Sequence, residues 1–147
     1  MIGTLLAGMC AVTVYVSPSA DAVYGPEIRE ALGVISAASG VQFRQDPMDG
    51  DLDLFAADVA AAGPEAAGYY WEDQIVLTPE PSKYYYEYQT PRMQHNFRLR
   101  LVVHELMHFF GAGHSEDTRS VTYRYAGDNR VRLSAGDVAF LDSLECK

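Results

Sequence analysis

The stretch His104-Glu105-Leu106-Met107-His108-Phe109-Phe110-Gly111-Ala112-Gly113-His114 holds three of the four histidines of this 147-residue chain within eleven positions. At the chain's own composition, three His, one Glu and one Gly at those five places are expected by chance only about 10⁻⁵ times per chain, so the run is a strong motif. On an α-helix, positions i and i+4 lie about 40° apart around the axis and about 6 Å along it. His104 and His108 therefore share one face. Gly111 can take a positive φ at little cost and turn the chain off the helix, which lets His114 swing back to the same point. Three neutral imidazoles gathered this way reach one zinc ion at about 2.0–2.1 Å and leave a fourth position for water, the arrangement of a catalytic site. Glu105, beside the first ligand, is the expected general base for a metal-activated water that attacks a carbonyl. The blander reading of a single His on a helix is packing or exposure. It is the reading for His95, more than two turns upstream, and Phe109-Phe110 reads as core.

Working outward, Thr90 reads as an N-cap and Pro91 as the first residue of a helix running to about Phe110. Ser134, with Asp137 three residues on, resembles a capping box opening a last helix through Val138, Leu141 and Leu144. Val12, Val14 and Val16 alternate with Ala11, Thr13 and Tyr15 and stop at Ser17-Pro18, the pattern of a strand. The apolar run from Ile2 to Val16, followed by small residues to Ala22, is also compatible with a secretory signal, although no Lys or Arg precedes Arg29. Gly25-Pro26 is the expected start of a helix through Ile28, Ala31, Leu32, Ile35 and Ala38, ending at Gly40. Val41 to Arg44 and the segment around Leu52, Leu54 and Phe55 read as strands. Tyr69-Tyr70-Trp71 and Ile75-Val76-Leu77 read as two more, joined by a tight turn at Glu72-Asp73. Pro79 to Gln89 reads as a loop.

Eleven Lys and Arg against twenty Asp and Glu give a net charge of −9. Phosphate binding draws its affinity from a basic surface, so nucleic acid is excluded as a partner, and adsorption to anionic membranes is disfavoured. No apolar run of about 18 residues exists to span a bilayer. The reading is one α+β domain over 1–147: a small mixed twisted sheet packed by two helices, with the zinc-binding helix and a C-terminal helix. A monomer acting on a peptide or protein substrate is expected.

The H-E-x-x-H-x-x-G-x-x-H run resembles the signature of the metzincin metallopeptidases. Ser120-Val121-Thr122-Tyr123 followed by Arg132-Leu133-Ser134-Ala135-Gly136-Asp137 is similar to the matrixin branch, where a methionine turn precedes such a helix opening. The resemblance implies His104, His108 and His114 as ligands of one catalytic zinc and Glu105 as general base of an endopeptidase. It implies Asp137 as the carboxylate pinning the turn beneath the site, Gly68 to Trp71 as the edge strand on which an extended peptide pairs, and Val121 to Tyr125 as the outer wall of the pocket. Thr122 stands where the family has its turn Met, and histidine is too scarce for a second zinc. Asp49, Asp51 and Asp53 read as solvated turn and strand carboxylates, with calcium ligation as the alternative, since no Gly-turned loop of the right length accompanies them. In the resembling fold Cys10 and Cys146 can meet; the alternative is two unrelated thiols. A bridge would point outside a reducing cytosol, to an extracellular or cell-surface protein. The rival functional reading is a non-catalytic binding module of the same fold, or a pseudo-peptidase, with the Tyr84-Tyr85-Tyr86-Glu87-Tyr88 cluster as a sticky patch.

Overall fold

In the computed structural model, which describes residues 10–63, 66–87, 89–124 and 131–147, the alternating segment after Cys10 is a strand. This β1 (Ala11–Val16) buries Val12 and Val14. Residues 11–22, read alternatively as the end of a cleaved signal, form β1 and the start of the helix that follows; residues 1–9 lie outside the described residues. That helix, α1 (Pro18–Ser39), begins earlier than Gly25-Pro26 suggests. Ser17 is its N-cap, with Oγ accepting from the Ala20 N–H at 3.1 Å, and Pro18 stands at the first helical position. Pro26 therefore sits inside the helix, where it removes one backbone hydrogen bond. The helix tolerates this because Tyr24, Ile28, Ala31 and Ile35, on either side of the proline, are buried, and packing outweighs local propensity.

The remaining strands are β2 (Gln42–Gln45), β3 (Leu52–Ala56), β4 (Gly68–Trp71) and β5 (Gln74–Leu77), in the spatial order β2-β1-β3-β5-β4. β1 pairs in parallel with β2 and β3, β3 pairs in parallel with β5, and β4 runs antiparallel to β5 at the edge. Glu72 and Asp73 both have positive φ, 47° and 61°, the backbone of a two-residue hairpin turn whose twist matches the strands. Asp46 Oδ1 accepts from the N–H groups of Met48 and Asp49 at 2.9 and 3.0 Å, which makes the turn between β2 and β3. The segment read as a loop after Pro79 contains a 3₁₀ helix, Pro81–Glu87.

Helix α2 (Pro91–Phe109) opens on Thr90, whose side chain accepts from the Met93 N–H at 3.1 Å, with Pro91 first. Helix α3 (Ala135–Asp142) opens on the full Ser134–Asp137 capping box. The fold is thus α+β, with a five-stranded mixed sheet and three α-helices among the described residues. Its core joins Val12, Val14, Leu52, Leu54, Ile75 and Leu77 of the sheet to Ile28 and Ile35 of α1 and to Leu99, Val102, Val103, Leu106 and Phe109 of α2. Tyr70 meets Phe109 edge to face at 6.1 Å, which fixes α2 alongside β4. His95 is neither free surface nor plain packing. Its two ring nitrogens lie 2.9 Å from buried Glu27 and 2.8 Å from Glu30, and Arg98 Nε donates to Glu27 at 2.6 Å, tying α1 to the first half of α2.

Cys10 and Cys146 form a disulfide, with Cα atoms 5.2 Å apart. The tail that carries Cys146 crosses the end of α1. Gly40 there has φ +81°, and a Cβ on it would come within 2.4 Å of the Cys146 carbonyl oxygen, so both the conformation and the close approach need glycine. Because the bridge closes a loop of 136 residues, its loss frees a large unfolded ensemble. A Cys10→Ser/Cys146→Ser protein is expected to lose about 2–5 kcal/mol of stability in urea unfolding, and wild type should fall to the same value when reductant is added.

Candidate metal centre

The site is built by the end of one helix. α2 closes with Phe110 as cap and Gly111 at φ +100°. The Gly111 N–H donates to His108 O at 2.9 Å and the Ala112 N–H to Met107 O at 3.0 Å, the paired bonds of a Schellman motif. This ending does two jobs. It reverses the chain so that His114 returns to the face holding His104 and His108, and it aims the Ala112 carbonyl back at the helix, where it accepts from His108 Nδ1 at 2.7 Å.

His104 is held in the same manner by another segment: its Nδ1 donates to Val121 O at 2.7 Å. A carbonyl can only accept, so each Nδ1 carries the proton and each Nε2 presents a bare lone pair. The two Nε2 atoms face each other at 3.0 Å. His114 completes the group, its ring 5.3 Å from that of His104 and 4.9 Å from that of His108, centre to centre. One nitrogen from each of the three lies within 4.8 Å of the other two. Two ligands bonded to one ion at about 2.0–2.1 Å in tetrahedral geometry stand about 3.3 Å apart. The donor set therefore fits a divalent metal ion, which these residues can hold. Burial and the neighbouring His108 hold the His104 imidazole down at about 4, and burial with His108 also lowers His114, so these two rings favour the neutral form that ligation needs.

Glu105 lies next to this cluster with its side chain 4 % exposed. Among the described residues no hydrogen bond or ion pair reaches its carboxylate, and burial alone raises it to about 8. A structural carboxylate this deep is ordinarily paired.

Behind His104, the turn that supplies Val121 O is a polar knot. The Asp137 carboxylate accepts the Val121 N–H at 3.0 Å, the Ser134 N–H at 2.9 Å and the Ser120 hydroxyl. Thr122, 4 % exposed, donates its N–H to Ser120 Oγ at 3.0 Å. Arg100, 7 % exposed, donates through Nη2 to Ser120 O at 3.0 Å. Sequence reading placed Asp137 and Thr122 here but missed Arg100 and Ser120. The available signal was position: Arg100 stands four residues before His104, on the same helix face. Tyr125 of the expected outer wall lies outside the described residues.

Two alternatives left open by the sequence resolve toward their plainer readings. Asp49, Asp51 and Asp53 do not gather into a cation site, and the histidine trio is the sole such group among the described residues. Asp51 Oδ2 instead accepts from the Thr13 N–H and hydroxyl, both at 2.9 Å, stapling the β2–β3 turn to β1. The tyrosine cluster is not an open patch at its start. Tyr84 stacks on Phe97 and donates to Ala66 O at 2.8 Å, and Tyr85 packs edge-on against Phe97 with its hydroxyl 2.7 Å from Arg98 Nη1. Tyr88 lies outside the described residues. No helix among the described residues is long and apolar enough to cross a membrane. No family model matches the chain, and no curated protein matches it in sequence.

In the metal-free protein a carboxyl raised by burial supports the fold while protonated and loses that support as pH climbs from about 4.5 through about 8. Glu105→Gln cannot ionise. Metal-free Glu105→Gln is expected to match wild type near pH 4.5 and to exceed its stability by on the order of a few kcal/mol above pH 8. Urea unfolding in the presence of a chelator measures both, and equal stabilities at high pH would mean that Glu105 is not desolvated.

Proposed function

We propose that this protein is a zinc-dependent endopeptidase of metzincin type, with His104, His108 and His114 holding the metal and Glu105 as general base. One observation carries the reading: one nitrogen from each of three imidazoles converges on a single point, and the residue after the first of them is a buried Glu with no hydrogen-bond partner among the described residues. Zinc is the metal favoured by three neutral imidazoles and an open fourth position. The spacing of the motif and the similarity of Ser120 to Tyr123 and Arg132 to Asp137 to the matrixin branch support the same assignment.

When bound, the ion would polarise the scissile carbonyl and lower the pKa of a water toward about 7. The rest of the chemistry belongs to the chain. His104 and His108 are aimed by the Val121 and Ala112 carbonyls, which take their Nδ1 protons, so their orientation costs nothing at the moment of reaction. Glu105 takes the proton from the attacking water on its carboxylate oxygen and passes it to the nitrogen of the leaving amine. A nearby cation favours the ionised carboxylate, which is the form a base requires. Among the described residues no strand pairs with the outer edge of β4, and that edge can receive an extended peptide as an added strand. The Cys10–Cys146 bridge supports work outside a reducing cytosol.

Glu105→Ala is expected to retain stoichiometric zinc by elemental analysis and to cleave casein or gelatin at least about a hundredfold more slowly than wild type. Wild-type protein with a full complement of zinc and no cleavage of any peptide would instead mark a binding module that holds the metal for structure.

A further inference from the structure

We propose that Arg100 is a positioning residue for the metal centre: its buried guanidinium holds the Ser120 carbonyl and so fixes the turn whose next carbonyl receives the Nδ1 proton of His104. The inference rests on the metal-site reading above and deepens it. Arg100 stands one helical turn before His104 on α2. A guanidinium that is 7 % exposed needs hydrogen bonds and a counter-charge in place of water. Ser120 links it to both. The Ser120 carbonyl accepts from Arg100 Nη2 at 3.0 Å, while the hydroxyl of the same residue donates to Asp137, itself 3 % exposed. A cation from α2 and an anion from α3 thus grip one turn between them.

The grip determines where the next carbonyl points. Ser120 O also accepts the Tyr123 N–H at 3.2 Å, closing the turn, and Ser120 Oγ takes the Thr122 N–H at 3.0 Å. The Val121 N–H is held by Asp137 at 3.0 Å. With Ser120 fixed at its carbonyl and hydroxyl and Val121 fixed at its N–H, the Val121 carbonyl is left facing His104 Nδ1 at 2.7 Å. That contact selects the ring's tautomer and aims Nε2 at the other two imidazoles. Because Thr122 is polar and its hydroxyl lies 2.9 Å from Ser120 Oγ, the turn keeps its shape through hydrogen bonds. Without the cation, the Ser120 carbonyl keeps only the Tyr123 N–H, and the turn loses this tie to α2.

Arg100→Met keeps much of the stem and removes the donors. Two readouts separate positioning from general stability: zinc affinity by competition with a chromophoric chelator, and the His104 tautomer by nitrogen-15 imidazole NMR of the metal-free protein. Wild type is expected to show His104 as the Nδ1–H tautomer. In Arg100→Met, affinity should fall roughly 10–100-fold and the His104 signal should become a mixture of tautomers. Ile28→Val, a core change on α1 outside the turn and its partners, should lower the melting temperature and leave both readouts at wild-type values. Arg100→Met with wild-type affinity and an unmixed tautomer would overturn the proposal, and so would an equal loss of affinity in Ile28→Val. A wild type that takes up no zinc would sink the metal-site reading itself, a result separate from either. Should Arg100→Met fail to fold, Arg100→Gln is judged by the same criteria.

Discussion

Two imidazole lone pairs 3.0 Å apart repel each other, and the whole molecule is arranged to keep them there. Each ring is denied the simplest escape, a change of tautomer, because a backbone carbonyl already accepts its Nδ1 proton. The carbonyls come from different places. Ala112 is local, delivered by the turn that ends α2. Val121 is distant, and its position depends on Arg100 from one helix and Asp137 from another. An arrangement that is unfavourable when empty and favourable around a cation is what pre-organisation means for a metal site: the cost of gathering like dipoles is met on folding.

That cost is carried by the packing of the rest of the fold. The parallel strands β1, β3 and β5 bury Val12, Val14, Leu52, Leu54, Ile75 and Leu77 under the helices, and α2 is clamped at its front half by the Glu27, His95 and Arg98 cluster and at its far end by Tyr70 on Phe109. α3 is short, eight residues, and such a helix is marginal alone. It matters because Asp137 at its start holds the Ser120–Val121 turn. The capping box secures its front and Leu141 buries its middle, while the disulfide fastens the tail just beyond it to the segment that opens β1. Stabilisers at the chain ends thus act on the geometry of His104 through one carboxylate.

Much of this was legible in the sequence, and the division follows the range of the interactions. Local chemistry read correctly. The Thr90-Pro91 start of α2, the Ser134–Asp137 box, the alternation in β1 and the Glu72-Asp73 hairpin each depend on residues within four positions of one another. The trio of histidines was legible because helical spacing and Gly111 put all three within one turn and one bend. The start of α1 was misjudged because Ser17-Pro18 and Gly25-Pro26 both carry helix-opening signals, and the burial that lets the helix run through Pro26 is tertiary. Arg100 and Ser120 are twenty residues apart with no pattern joining them. A guanidinium reads as surface until a carbonyl and a carboxylate are seen to replace its water. The acidic residues near Asp51 left a cation site open as an alternative for the reverse reason, since clustered carboxylates in sequence point to different partners in space.

Glu105 is where the two functional readings part. A module that only held a metal for structure would gain nothing from a carboxylate that is buried, meets no donor among the described residues and is raised by burial alone, and substitution by glutamine or an apolar residue would relieve the fold at no loss. Residues that are costly to the fold and idle within it are expected where chemistry needs them. His104 and Glu105 form such a pair, one ring kept neutral by burial and an adjacent carboxylate whose ionisation waits on a cation. Oppositely displaced titrations on neighbouring residues are found at sites that move a proton and also at buried structural groups. That physical ground adds to the spacing of the motif in support of the proposed catalytic role.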